Sequence, residues 1–268
     1  MNQKKNKTVV YTAIINDYDK LRKPRVISPN CDYVCFTDDP KLRSKVWQIR
    51  PMPESELDFT RQNREIKLHP HLYFPEYEYS IYVDGNVEIL GDPEELIDEY
   101  LIKQEAVFVT LLHRDRDCLY DEAKLCLDRE KDNKEVIEEQ ISEYKALGFP
   151  AHFGLSENPV LMREHNDPLV VKVTEEWWQE VLHKSKRDQL SLDFVLWKNG
   201  LERGTLGKRN ESVFLNYFSQ KGHKEKGLRR LRQTIIENKD ENIFWRSLFG
   251  LSLITKRMLK SFKRFLFK

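Results

Sequence analysis

Tyr79-Ser80-Ile81-Tyr82-Val83-Asp84-Gly85-Asn86 is the stretch from which the rest of the chain can be read. Tyr79 to Val83 is a short run of β-branched and aromatic residues, and its composition is that of a buried strand. The run stops at Asp-Gly-Asn, and Val87 to Leu90 resumes in extended form. Residues i and i+2 of an extended chain point to the same side, so the Asp84 carboxylate and the Asn86 amide can face one hard cation. Gly85 leaves room for a phosphate to approach the backbone. Oxygen ligands of this kind suit Mg2+ or Mn2+. Such an ion would neutralise a diphosphate as it leaves a donor. The same three residues also read as a β-hairpin turn, for which Asp-Gly is a strong signal.

Working outward, other strand-like runs end on polar residues in the same way. Thr8 to Ile15 meets Asn16-Asp17-Tyr18-Asp19, Tyr33 to Thr37 meets Asp38-Asp39-Pro40, and Ala106 to Leu112 delivers His113-Arg114. Val46 to Arg50 is a further strand, broken by Pro51 and Pro53. Helical stretches fall between them: Asp58 to His69, Asp92-Pro93 through Leu101, two helices within Cys118 to Leu147 broken near Asp132-Asn133, one from Thr174, and one from Arg187 to Lys198. Alternating strands and helices predict an α/β fold with a mixed, mostly parallel sheet flanked by helices. In such a sheet ligands bind at the carboxyl ends of the strands. Pro159 to Arg163 reads as one more strand, after a loop. The Trp177-Trp178 pair reads as helix packing rather than a sugar platform, and His69 and His71 as structural.

The chain has 268 residues, 40% of them hydrophobic, enough for a packed core. Its net charge of +1 hides an asymmetry: 242–268 holds seven Lys and Arg and no acid, which leaves −6 on the first 241 residues. A folded body of that sign argues against a nucleic-acid partner. Cys31 and Cys35 share a strand-like run, and four residues of strand span about 13 Å, too far for a disulfide or a shared ion. The four cysteines are therefore expected as free thiols in a reducing compartment. Met1 to Lys7 is polar, so no secretory signal is expected, and no apolar run reaches the ~20 residues that span a bilayer. We expect a catalytic domain over 1–241 and a tail over 242–268. In the tail, large apolar residues alternate at helical spacing with basic ones, as in a helix lying on an anionic membrane surface. The expected location is cytoplasmic, peripheral on the inner face of the cell membrane. A helix docked on the domain or in an oligomer is the other reading of the tail.

Several stretches, taken in order, resemble a known family. They are Tyr11 to Asp19, Tyr33 to Asp38, Arg64 to Lys67, Phe74 to Asn86, His113-Arg114, Gly148 to Pro150, Gly154-Leu155 with Glu157-Asn158, and Arg187 to Ser191. Together they resemble the glycosyltransferase-like domain of plant mucilage- and pectin-related proteins and bacterial cell-surface polysaccharide clusters. That resemblance implies a GT-A-like, Rossmann-like fold with Asp84-Gly85-Asn86 in place of its acidic metal motif, departing from a two-carboxylate pattern at Asn86. It also implies a nucleotide-sugar donor, probed first as UDP-linked, and a saccharide or lipid-linked glycan acceptor.

Roles follow from position within that resemblance. Thr12, Ala13, Asp17 and Tyr18 would line the nucleoside pocket, and Asp38 would accept hydrogen bonds from base or ribose; ordinary turn chemistry also explains Asp17 and Asp38. Arg61, Arg64 and Lys67 would neutralise the diphosphate, or form a solvated helix face. His113 and Arg114 would contact donor sugar or acceptor. Gly154, Leu155 and Glu157 would form an acceptor-side loop, with Gln189 beside it. Asp188 would be the acid or base acting on the acceptor hydroxyl, or a helix cap. His223 would complete the metal shell, or sit in a loop. The rival readings are a metal-dependent phosphohydrolase or nucleotidyltransferase, and a non-catalytic nucleotide-sugar-binding module.

Overall fold

The computed structural model describes residues 7–223 and residue 247. The chain divides into two compact units, Met1–Gly222 and His223–Lys268. The tail expected over 242–268 lies outside the described residues apart from residue 247. All the elements below belong to the first unit.

Nine strands and eight α-helices are described. The strands are β1 (Thr8–Ile14), β2 (Cys31–Thr37), β3 (Gln48–Pro51), β4 (Tyr79–Val83), β5 (Val87–Ile89), β6 (Phe108–Leu112), β7 (Ser156–Arg163), β8 (Gly204–Lys208) and β9 (Phe218–Gln220). The helices are α1 (Phe59–Leu68), α2 (Pro70–Tyr73), α3 (Pro93–Ile97), α4 (Leu119–Asp128), α5 (Lys134–Ala146), α6 (Pro168–His183), α7 (Leu192–Asn199) and α8 (Ser212–Tyr217). A π-helical turn over Asp98–Ile102 extends α3, and a 3₁₀ turn over Asp188–Leu190 precedes α7.

Seven strands form one sheet in the order β3-β2-β1-β4-β7-β6-β8. β7 runs antiparallel to both its neighbours, and every other adjacent pair is parallel. The expected mixed, mostly parallel sheet is the one observed. The hairpin reading of Asp84-Gly85-Asn86 is corrected: β4 pairs with β1 and β7, whereas β5 leaves the sheet and pairs with β9. The central strands carry near-continuous apolar runs because both faces are covered. On one face Tyr11, Tyr82, Leu161 and Phe108 pack with Ile66, Val173, Trp177 and Phe194. On the other Val10, Ile81, Val83 and Met162 pack with Leu96, Leu101 and Phe214.

Helix starts follow local chemistry. The Asp58 carboxylate accepts the N–H groups of Thr60 and Arg61 to open α1, Asp92 accepts that of Glu94 ahead of Pro93 in α3, and Asn133 accepts that of Val136 in α5. α6 starts at Pro168, capped by Asp167, six residues before the expected Thr174. β7 begins at Ser156 rather than Pro159, so Glu157 lies in a strand and not in the loop expected there. The four cysteines are buried free thiols, as expected.

The chain moves from β1 outward to β2 and β3, then returns to the far side of β1 as β4. β1 and β4 therefore flank the point where the strand order reverses, which is where an open α/β sheet leaves a crevice for ligands.

Candidate functional site

Three segments meet at that crevice. After β1 the backbone turns sharply, with Asn16 at φ 55° and Asp17 at φ 51°, a left-handed conformation that Asn and Asp tolerate better than other side chains. The Asn16 N–H donates to Asp38 Oδ2 at 2.8 Å, so the ends of β1 and β2 are tied together. After β4, the Val87 N–H donates to the Asp84 carbonyl at 2.8 Å, closing a turn over Asp84-Gly85-Asn86. A Cβ on Gly85 would sit 2.8 Å from Ile14 and 3.0 Å from the Cβ of Asp19. Glycine is thus required there by close approach of two chain segments. Asp19, buried and with Oδ2 3.1 Å from that position, is a carboxylate at the crevice that the sequence did not single out.

The charged centre is an alternating array reaching across α1. Lys67 Nζ, almost wholly buried, lies 2.8 Å from Asp188 Oδ2 and 3.6 Å from Asp84 Oδ1, and 5.0 Å above the Tyr82 ring. Arg64 Nε stands 3.1 Å from Asp188 Oδ1, and its Nη1 donates to Asn63 Oδ1 at 2.6 Å. Asn63 in turn donates to the Ala13 carbonyl at 2.7 Å, fixing α1 against the end of β1. Burial pushes the Asp188 carboxyl up, but the Arg64 and Lys67 charges more than reverse this and hold it well below the ordinary carboxylate range. Burial likewise opposes the charge on Arg64, and Asp188 and Asp84 outweigh it. The two cations thus favour the ionised form of Asp188. Asp188 is in turn an anchor for two cations, Lys67 and Arg64.

Of the expected cationic stripe, Arg64 and Lys67 converge on Asp188 and Arg61 turns away. Three residues of α-helix turn about 300°, so each step rotates the side chain by about 60°. Arg61 faces α6, donating to the Val181 and Lys184 carbonyls at 3.0 and 2.9 Å and pairing with Asp58 at 2.7 Å. Arg64 meets Asp188, and only Lys67 reaches Asp84. Thr12 and Ala13 are buried within β1, whereas Tyr18 is 57% exposed in the loop that follows.

Beside the ends of β2 and β3 lies a cavity of about 770 Å³, lined by Asp38, Arg43, Pro51, Met52 and Gln62 among others. That volume falls in the range of small-molecule sites, ~300–1,000 Å³. Gln62 and the Pro51–Ser55 segment were not picked out from sequence.

On the other flank, His113 is buried at the end of β6. The N–H groups of Asp115 and Arg116 lie 3.1 and 2.9 Å from its Nδ1, and the Arg116 guanidinium, a donor only, stands 3.0 Å from its Nε2. Nε2 stands 3.6 Å from Glu157 Oε1, and burial pushes the imidazole pKa down. Arg114 pairs with its neighbour Asp115 at the surface. Gly154, at φ 111°, donates its N–H to the Asp117 carbonyl, and Leu155 is buried with its carbonyl accepting the His113 N–H. Gln189 donates to the Ser156 carbonyl at 2.9 Å. His113, Leu155, Glu157 and Gln189 thus assemble as one ledge about the start of β7. Trp177 and Trp178 are core residues: Trp177 donates to the Asp188 carbonyl, and Trp178 packs edge-on against His69.

The fit of a divalent cation turns on Asp84 and Asn86. The Asp84 side chain is 27% exposed. Asn86 is 3% exposed, its Nδ2 donates to the Lys221 carbonyl at 2.8 Å, and its buried Oδ1 has no hydrogen-bond partner. Among the described residues no three His, Cys, Asp or Glu side chains converge to hold an ion. One open carboxylate suits an ion that keeps most of its ligands as water and phosphate, as Mg2+ does, and does not suit an all-protein cage. His223 is the first residue of the second unit, and its expected part in a metal shell is not addressed by the first.

The fold and the crevice define a GT-A-like α/β domain, with its polar residues gathered at the switch point. The chain belongs to the TOD1/MUCI70 glycosyltransferase-like domain family, which matches residues 1–223. It is 26% identical over 213 residues to a probable hexosyltransferase, MUCI70, of Arabidopsis thaliana. That match covers 70% of this chain and 36% of the plant protein, so the chain spans about a third of its relative's length.

Proposed function

We propose that this domain transfers a sugar, a hexose in the first instance, from a nucleotide-diphosphate donor to a saccharide or lipid-linked glycan acceptor of cell-surface polysaccharide. The observation that carries this reading is the buried Lys67, held between Asp188 and Asp84 at the β1/β4 switch point. A lysine so placed offers a fixed positive charge where a diphosphate would lie, in surroundings that screen it little. Asp188 keeps Lys67 and Arg64 oriented, and Asp84 would hold Mn2+ or Mg2+. The ion would supply charge neutralisation of the departing diphosphate. The cavity beside Asp38 is the place for the nucleoside, which we take to be uridine, and the His113–Glu157 ledge faces the acceptor side.

A thermal-shift panel of UDP-, GDP-, CDP- and dTDP-sugars tests this. A ligand bound by the native state alone at a hundred times its Kd stabilises by about 2.7 kcal/mol, so the Tm should rise by several degrees. The rise should be largest for UDP-sugars and smaller in EDTA than with Mn2+. No shift with any of the four classes would remove the reading.

The tail over 242–268 would bring the domain to an anionic membrane where a lipid-linked acceptor resides. The full chain is expected to pellet with anionic vesicles at low salt and less so at high salt. Equal pelleting by a chain lacking these residues would count against it.

A further inference from the structure

Asn158 carries a signal that neither the fold nor the site so far explains. It is 6% exposed, and both its Nδ2 and its Oδ1 are buried with no hydrogen-bond partner. A buried amide with both ends unmet is costly, and such groups in native proteins usually mark a ligand, a water or a functional strain.

Its position narrows the choice. β6 and β7 pair at Val109–Met162 and again at Leu111–Glu157, so 158–161 stand opposite Thr110 alone. The Thr110 hydroxyl bridges this bulge, 2.9 Å from the Glu157 carbonyl and 3.0 Å from that of Val160. Bulges next to active sites commonly re-aim a side chain. The following residue, Pro159, accepts the Asp84 N–H at 2.8 Å, so Asn158 is one residue from the backbone partner of the crevice's open carboxylate. Proline also restricts the backbone of the residue before it, which stiffens the segment. Two residues after Asp84 in the chain, the Asn86 Oδ1 is buried and unmet. Next to Asn158 in the chain, the buried Glu157 Oε2 has only Arg209 Nε at 3.4 Å, without hydrogen-bond geometry.

We propose that Asn158, with the Asn86 Oδ1, forms a subsite for the hydroxyls of the transferred hexose. An amide presents an acceptor and two donors, and each sugar hydroxyl donates and accepts, so a vicinal pair satisfies both ends of the side chain at once. Asn158 precedes the backbone partner of the Asp84 N–H and Asn86 follows Asp84 by two residues, so both unmet groups belong to the segments that carry Asp84, where the diphosphate end of the donor would lie. This rests on the nucleotide-sugar reading above and adds which residue would read the sugar.

Calorimetry with UDP, UDP-glucose and UDP-galactose on the full chain and on Asn158→Leu and Asn158→Asp tests it. Leucine keeps asparagine's branched four-atom side-chain shape, though it is larger, and leaves no polar group unmet, so Asn158→Leu should hold a Tm close to the parent's. It should bind UDP as the parent does and lose about 10- to 100-fold in affinity for the preferred UDP-hexose, the range for leaving sugar hydroxyls unpaired. Asn158→Asp, which keeps the acceptor and loses the donor, should fall between. If the parent binds the UDP-hexose and Asn158→Leu binds it equally well, a buried water satisfies the amide and the subsite is overturned. An equal loss for UDP and UDP-hexose, or a sharp drop in Tm, makes Asn158 structural and overturns it too. If the parent binds none of the three ligands, the nucleotide-sugar reading itself falls and the subsite with it.

Discussion

Replacing Asp188 by asparagine is expected to lower stability by about 3–5 kcal/mol, the range for breaking a buried ion pair from one side. Lys67 Nζ at 2.8 Å and Arg64 Nε at 3.1 Å would both lose their counter-charge, Lys67 while buried and Arg64 while largely screened from solvent. Lys67 would keep only Asp84 at 3.6 Å. Urea unfolding should show a lower midpoint with an unchanged slope. The pH dependence separates this from simple loss of packing. The folded-state pKa of Asp188 is depressed, so its contribution is complete above the unfolded carboxyl value of about 4 and fades as pH falls through the folded value. The parent should therefore lose stability below about pH 4 more steeply than Asp188→Asn does. A variant as stable as the parent at neutral pH would show that the array is not what fixes α1 at the crevice.

Replacing Asp84 by asparagine is expected to do the reverse, leaving the fold and removing the activity. Its carboxylate is partly exposed and its one described ion pair is long, so the cost to stability should be about 1 kcal/mol or less. It is also the carboxylate placed to hold Mn2+ or Mg2+ beside Lys67, and turnover should fall by about a hundredfold or more. The Mn2+ dependence of nucleotide binding should disappear with it.

Much of the frame was legible because local chemistry and tertiary structure agree. The runs before Asn16, Asp38, Asp84 and His113 became strands ending at one edge, and Asp58, Asp92-Pro93 and Asn133 opened helices as their side chains predict. Asp167-Pro168 carries the same signal as Asp92-Pro93, and it opens α6 six residues ahead of Thr174. Proline is rare inside a strand, yet β7 runs through Pro159 from Ser156, and its pairing with β6 is irregular opposite Thr110. The β8–α8–β9 segment went unread because its elements are too short to show a period.

In the site, residues at strand ends could be named, but their partners could not. Lys67 and Asp188 are 121 residues apart in the chain, and nothing local reveals that they meet. The three-residue spacing of Arg61, Arg64 and Lys67 suggests one shared ligand, whereas helical rotation turns Arg61 to α6 and leaves Arg64 and Lys67 sharing Asp188. Asn158 was legible only as part of a resembling stretch, since burial without a partner is a property of the folded chain.

The most direct test of the account is release or transfer of radiolabelled hexose from UDP-hexoses by the purified chain and by Asp84→Asn, in Mn2+ with a saccharide acceptor. The account predicts turnover by the parent and a loss of about a hundredfold or more in the variant, with both proteins folded. Equal rates for the two proteins, or no turnover by a parent that binds the donor, would contradict it.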